Sequence, residues 1–222
     1  MAEENIPPMP KSSSGLNGCL IGCLIVFLVG FAGAGLVSFF AYQGITGVLS
    51  ATTETEPREL PPLELTEAEE SAASEKYTKL TTAMEQGSDE KEFAFSGDDI
   101  NAILRSSDHP QVQALGESVY MTIANGELRG EVSLELGRFI PLLKGRYLNG
   151  SATFNVSASD GRLFVFIENF QIKGEDAPAE IMSQLRVQNL VQDMTSDPKM
   201  REIIEKIEEI RVEEDRLIVT LK

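Results

Sequence analysis

The chain has 222 residues, with 35 Asp and Glu against 19 Lys and Arg, a formal net charge of −16, one histidine, two cysteines and no tryptophan. So acidic a balance argues against recognition of a nucleic-acid backbone, which needs clustered cations to displace counterions. Both cysteines, Cys19 and Cys23, precede residue 24, so no disulfide framework supports the rest, and the length beyond residue 50 suits one compact domain.

Residues 1–18 hold Pro7, Pro8, Pro10 and Ser12-Ser13-Ser14-Gly15, with little to bury, and read as a disordered tail. Residues 19–42 then run for 24 positions without Asp, Glu, Lys, Arg or His. At about 1.5 Å per residue this is enough helix to cross a hydrocarbon core of about 30 Å, and we read it as one transmembrane helix. The short tail places the amino terminus in the cytoplasm and the larger carboxy-terminal domain outside it. The flanking Lys and Arg add only a weak signal.

Two processing alternatives are weaker than an uncleaved anchor. Leu20-Ile21-Gly22-Cys23 spells a lipoprotein box, but its apolar core follows the cysteine instead of preceding it. Ala32-Gly33-Ala34 suits a signal peptidase, yet apolar residues continue directly after it. Gly30, Ala34 and Ser38 recur at every fourth position, a spacing that would let a partner helix or a second copy approach closely, although small residues are also common in membrane helices.

Residues 43–65 carry Pro57, Pro61 and Pro62 among acids and threonines and predict an extended, solvated linker. Thr66-Glu67-Ala68-Glu69 offers a capping box, and Ala73, Tyr77, Leu80 and Met84 mark a stripe before Gly87, which predicts a stalk helix over 67–86 packed on the domain. From about residue 92 onward a domain follows. Phe93 and Phe95 alternate in a short strand, and Ser96-Gly97-Asp98-Asp99 opens a helix with Ile100, Ile103 and Leu104 on one face. Asp98 and Asp99 suit that helix start better than a metal site shared with Asp108 and His109.

Period-two alternation begins at Val119, and Asn125-Gly126 is a type I′ hairpin signal. Leu128 to Leu136, Leu148 to Val156 and Leu163 to Ile167 complete an antiparallel meander of at least four strands. Residues 163–167 are apolar at every position, which predicts cover on both faces by helices, by sheet curvature or by a bound apolar molecule. After Pro178, Ile181, Met182 and Leu185 share one helical face, while Val187, Leu190, Val191 and Met194 fall nearly opposite. The helix therefore either breaks near residues 186–189 or lies between two apolar surfaces. Phe164, Phe166, Ile181, Leu185, Leu190 and Met194 are accordingly the candidates for a groove holding a lipid or other apolar ligand. Asp197-Pro198 starts a surface helix with Met200, Ile203, Ile204 and Ile207 on its apolar face, and residues 210–221 close the chain as a hairpin.

One loop departs from the acidic background. Arg138, Phe139, Leu142, Leu143, Lys144, Arg146 and Tyr147 combine cations with large apolar side chains, as a membrane-surface contact does, although buried loop packing accounts for them equally. No GxSxG, HExxH, CxxC or phosphate-cradling glycine loop occurs, so no catalytic residue, metal or cofactor is expected. Asn149-Gly150-Ser151 and Asn155-Val156-Ser157 match the glycosylation pattern but fall in or beside predicted strands.

The fold class expected is thus α+β, an antiparallel and curved sheet with amphipathic helices packed on it, preceded by one transmembrane helix. The order of elements around FSGDDINAILRSS, GELRGEVSLEL and SDGRLFVFIENFQIKG resembles bacterial single-span extracytoplasmic proteins of the YpmS kind and, more remotely, tubular lipid-binding domains. That resemblance spans residues 93–222 and implies a lipid-binding or envelope-associated role, with no site residue to carry over. The expectation is a noncatalytic, membrane-anchored extracytoplasmic module that holds an apolar ligand. The alternative is an interaction subunit of a membrane complex, with a membrane protein or a second copy as partner.

Overall fold

The computed structural model describes residues 52–107, 113, 116–138, 141–192 and 198–222. The expected transmembrane helix with Gly30, Ala34 and Ser38, and the residues Asp108, His109, Phe139 and Met194, lie outside these. Among the described residues no helix is long and apolar enough to cross a membrane.

The domain is α+β, as its mixture of periodicities requires. Helix α1 (Glu67–Gln86) begins with a reciprocal capping box between Thr66 and Glu69 and ends at Gly87, whose φ of 78° suits a residue without a side chain. It buries Ala73, Leu80, Ala83 and Met84, so the stripe packs on the domain. Strand β1 (Glu92–Ser96) turns Phe93 and Phe95 inward and runs directly into α2 (Gly97–Arg105), where Ser96 and Asp99 form a second capping box. Ile100, Ile103 and Leu104 are buried beneath α2.

Strands β2 (Val119–Ala124) and β3 (Glu127–Glu135) are joined by Asn125-Gly126 with φ values of 54° and 77°, both positive as a type I′ turn demands. Two short 3-10 turns, Leu136–Arg138 and Pro141–Leu143, lead to the long β4 (Tyr147–Ser159). Asp160-Gly161 turns the chain into β5 (Arg162–Ile172), followed by β6 (Glu175–Asp176), α3 (Ala179–Leu185) and α4 (Pro198–Glu205). A last hairpin pairs β7 (Ile207–Glu213) with β8 (Arg216–Leu221).

These strands make one eight-stranded antiparallel sheet that forks at β4. β5 takes one edge of β4 from Gly150 to Ser159. The opposite edge is divided: β3 pairs with Tyr147 to Phe154, and β7 meets β4 at the Ala158–Ile210 pair. One branch is β3-β2, the other β7-β8-β1, and α2 packs between their outermost strands. The carboxy-terminal β8 is thus sandwiched between β7 and β1, with Glu92 opposite Thr220.

Three expectations change in detail. The helix after Pro178 stops at Leu185, so the break near 186–189 is the correct alternative, and α4 ends at Glu205, leaving Ile207 to open β7. Residues 163–167 do not have two equally covered faces: Leu163, Val165 and Ile167 are at most 1% exposed, whereas Phe164 and Phe166 are half-buried on the other face. Residues 52–58 are not a free linker: Thr52 and Thr53 are buried, although residues 55–58 remain exposed.

Candidate functional site

Two surfaces carry the expected site residues, the β5 region and the loop between β3 and β4. In β5 the register with β4 shifts at Thr153/Phe154, so Glu168 is an extra residue between Ile167 and Asn169. The bulge moves the inward set from Leu163, Val165 and Ile167 to Phe170 and Ile172, and all five are buried. Phe164 and Phe166 therefore project from the polar face, opposite Ser157 and Asn155 of β4, and stack on each other with ring centroids 6.4 Å apart. Leu185 and Leu190 are instead 1% and 5% exposed within the core, and the Ile181 backbone lies in α3. Among the described candidates, the two phenylalanines occupy one face of the sheet and the two leucines belong to the packed interior, so these four do not share a groove.

The free edge of β5 is closed by the chain after α3. The Asn189 side chain accepts from the Val165 N–H at 3.0 Å and donates to the Leu163 carbonyl at 3.0 Å, while the Leu190 N–H donates to the Val165 carbonyl at 2.9 Å. Arg186 donates to the Glu168 carbonyl at 3.1 Å. An edge strand that would otherwise offer unpaired backbone groups to another chain is thereby blunted. Beside it, Asp160, Arg162, Leu163, Asn189, Arg201 and Glu205 line an open cleft of about 520 Å³ with mixed polar and apolar walls.

In the β3–β4 loop, Leu143 is 8% exposed and joins the core, so it is withdrawn from any surface contact. Arg146 is likewise committed: its Nε donates to Thr53 Oγ1 at 2.8 Å and its Nη2 to the Thr53 carbonyl at 3.1 Å. Tyr147 exchanges two backbone hydrogen bonds with Glu54, at 2.8 and 2.9 Å, on the edge of β4 beyond the end of β5. Leu143 is thus buried in the core, Arg146 is bonded to the preceding segment, and the half-buried Tyr147 pairs with that segment through its backbone alone. Arg138, with Glu135 at 3.9 Å, and Lys144 remain exposed, and the Leu142 backbone lies in the second 3-10 turn.

The residue that organises this region is Asn149, which is 2% exposed. Its Nδ2 donates to Glu54 Oε2 at 2.7 Å and to the Glu56 carbonyl at 2.9 Å, and its Oδ1 accepts from the Arg58 N–H at 3.1 Å and from Ser133 Oγ at 2.9 Å. All four amide bonding positions are filled, which leaves no room for a glycan in the folded domain. Ser133 also accepts from the Arg58 N–H at 3.0 Å. Residues 53–58 are thus stitched across the polar face of β3 and β4. Sequence reasoning had singled out Asn149 only as a glycosylation match; a further signal was an asparagine at the start of an otherwise apolar alternation.

Asp99 is the described carboxylate most firmly embedded in polar contacts. Burial pushes its pKa up, but the Lys76 ammonium at 2.6 Å and hydrogen bonds from Ser96 outweigh that and hold it below the ordinary 3.8. This is helix-start chemistry that ties α1 to α2. Among the described residues no group of three or more His, Cys, Asp or Glu side chains is placed to hold a metal ion. Comparison of the chain with protein-family models, with curated proteins and with solved structures finds no match.

Proposed function

We propose that the chain is a noncatalytic, membrane-anchored module that acts through contact, with residues 19–42 spanning the bilayer and the α+β domain on the extracytoplasmic side. The observation that carries this reading is the uninterrupted apolar run at 19–42 followed, only nine residues later, by a segment stitched onto the folded sheet. An interaction subunit is favoured over a lipid carrier, because Leu185 and Leu190, both expected to line the groove, are packed in the core.

Binding of an apolar ligand is retained as a second reading on one observation, the stacked and half-buried pair Phe164 and Phe166 on an otherwise polar face. The resemblance to YpmS-type proteins supports the envelope setting of both readings. Expression of the full chain in membranes tests the first. Resistance to alkaline extraction, with a carboxy-terminal tag sensitive to external protease, is expected, and release into the soluble fraction would overturn it. Crosslinking should then recover a defined partner or a homodimer, and Gly30→Leu with Ala34→Leu should weaken that product if the small-residue stripe makes the contact.

A further inference from the structure

The docked segment fixes more than a spacer would. Had residues 43–65 all been free, the 24 steps from Tyr42 to Thr66 would reach up to about 80 Å. Because Thr53, Glu54, Glu56 and Arg58 are bonded to Arg146, Tyr147, Asn149 and Ser133, only residues 43–51 remain between the anchor and the fold. Ten steps from Tyr42 to Thr52 reach at most about 35 Å, and a flexible chain of that length averages nearer 17 Å. The attachment point lies at the Tyr147 end of β4, a strand whose 13 residues span about 40 Å.

Charge is distributed along the same axis. The tethered end exposes Arg138 and Lys144, offset by Glu135 and by Glu54 and Glu56 of the docked segment. The far end of β4 carries the β4–β5 turn with Asp160. Nearer the middle of β4 the β2–β3 and β7–β8 turns meet, where the Gly126 N–H donates to the Glu214 carbonyl at 2.7 Å and Glu127, Glu213, Glu214 and Asp215 outnumber Arg216. An anionic bilayer surface repels those acidic turns and tolerates the tethered end.

We infer that the domain is held upright, with the β3–β4 end carrying Arg138 and Lys144 against the anionic headgroups of the bilayer that contains residues 19–42, and the β4–β5 turn with Asp160 pointing away. This rests on the proposed transmembrane helix. It assigns the docked segment a role, namely that of a short strap that sets which face of the domain the membrane covers and which a partner reaches.

The full chain, with Cys19→Ser and Cys23→Ser, is labelled with a spin probe at Pro141→Cys or at Asp160→Cys and placed in nanodiscs of phosphatidylcholine containing phosphatidylglycerol. Relaxation of each probe by a paramagnetic headgroup lipid is then measured. The Pro141 probe is expected to relax several-fold more strongly than the Asp160 probe. The contrast should shrink with Arg146→Ala plus Asn149→Ala, which release the strap, and with the exposed pair Arg138→Glu plus Lys144→Glu. Equal relaxation at both probes in disc-embedded protein would overturn the orientation while leaving the anchor intact. Protein that fails to enter the discs would overturn the anchor and the orientation with it.

Discussion

Asparagine side chains do for this sheet what extra strands would otherwise do. Asn101, 1% exposed on α2, accepts from the Met121 N–H and donates to the Met121 carbonyl, both at 2.8 Å, and so completes the outer edge of β2 as a paired residue would. Helix and strand approach closely enough for this because position 97 is glycine; a methyl group there would sit 2.9 Å from the Met121 carbonyl oxygen. Replacing Asn101 with Ala leaves two buried backbone groups unpaired and should cost about 2–4 kcal/mol. Asn101→Asp should cost about as much, since a carboxylate accepts from the N–H but repels the carbonyl, and urea unfolding of the two variants checks this. Asp99 makes a second prediction. Its pKa is lowered in the folded state, so its stabilising contribution is complete above the ordinary value of 3.8 and is lost as pH falls through the lower, folded value. Asp99→Asn should lower stability at neutral pH by about 1–2 kcal/mol and flatten the acid side of the stability profile, measured as the denaturation midpoint against pH.

At the scale of elements, what was local was legible. Both capping boxes, the Asn125-Gly126 turn and the inward faces of β1, β2 and β4 follow from residues within a few positions of one another. β5 departs from the expectation of two covered faces because, of its five consecutive apolar residues, only Leu163, Val165 and Ile167 turn into the core; beyond them the bulged Glu168 changes the phase, so that Phe170 and Ile172 share their face. Deleting Glu168 removes the extra residue and leaves Leu163, Val165, Ile167, Phe170 and Ile172 in unbroken alternation on one face, so neither this deletion nor Glu168→Ala should turn a core residue out to solvent. We expect Glu168→Ala to melt within a few degrees of the parent. The deletion should keep a cooperative transition, as followed by circular dichroism. Loss of that transition in the deletion would show that the bulge itself, and not the alternation around it, holds the register. The role of residues 52–58 was illegible for a different reason. Their threonines, acids and proline read as solvated, and the partners that bond them to the sheet, Ser133, Arg146 and Asn149, lie 75 to 95 positions away.

For the whole molecule the decisive pairing is the least local one. β1 finds its strand partner in β8, at the other end of the domain, and Arg211 of β7 reaches across β8 to tie the three strands together. Its Nη2 donates to Glu92 of β1 at 2.9 Å, its Nη1 to Thr220 of β8 at 3.1 Å, and the same guanidinium meets Glu209 and Glu213. The bonds to Glu92 and Glu213 hold its proton more firmly than in a free arginine. No residue pattern near either strand announces this arrangement, because contacts of such sequence separation are chosen by the closure of the core and not by local preference. β1 also delivers α2, which spans the gap to β2, so the last strand supports both branches of the fork. Truncation after Asp215 should then do more than fray a terminus. It removes Leu217, Val219 and Leu221 from the core, leaves β1 without its ladder and unseats α2 from between the branches. The expected outcome for the truncated protein is loss of cooperative thermal unfolding together with protection of the Met121 amide in hydrogen exchange, since Asn101 would no longer be held against it. If that amide stays protected after truncation, the β3-β2 branch and its helix are a self-sufficient unit, and the closure of the sheet by β8 is not what holds the domain together.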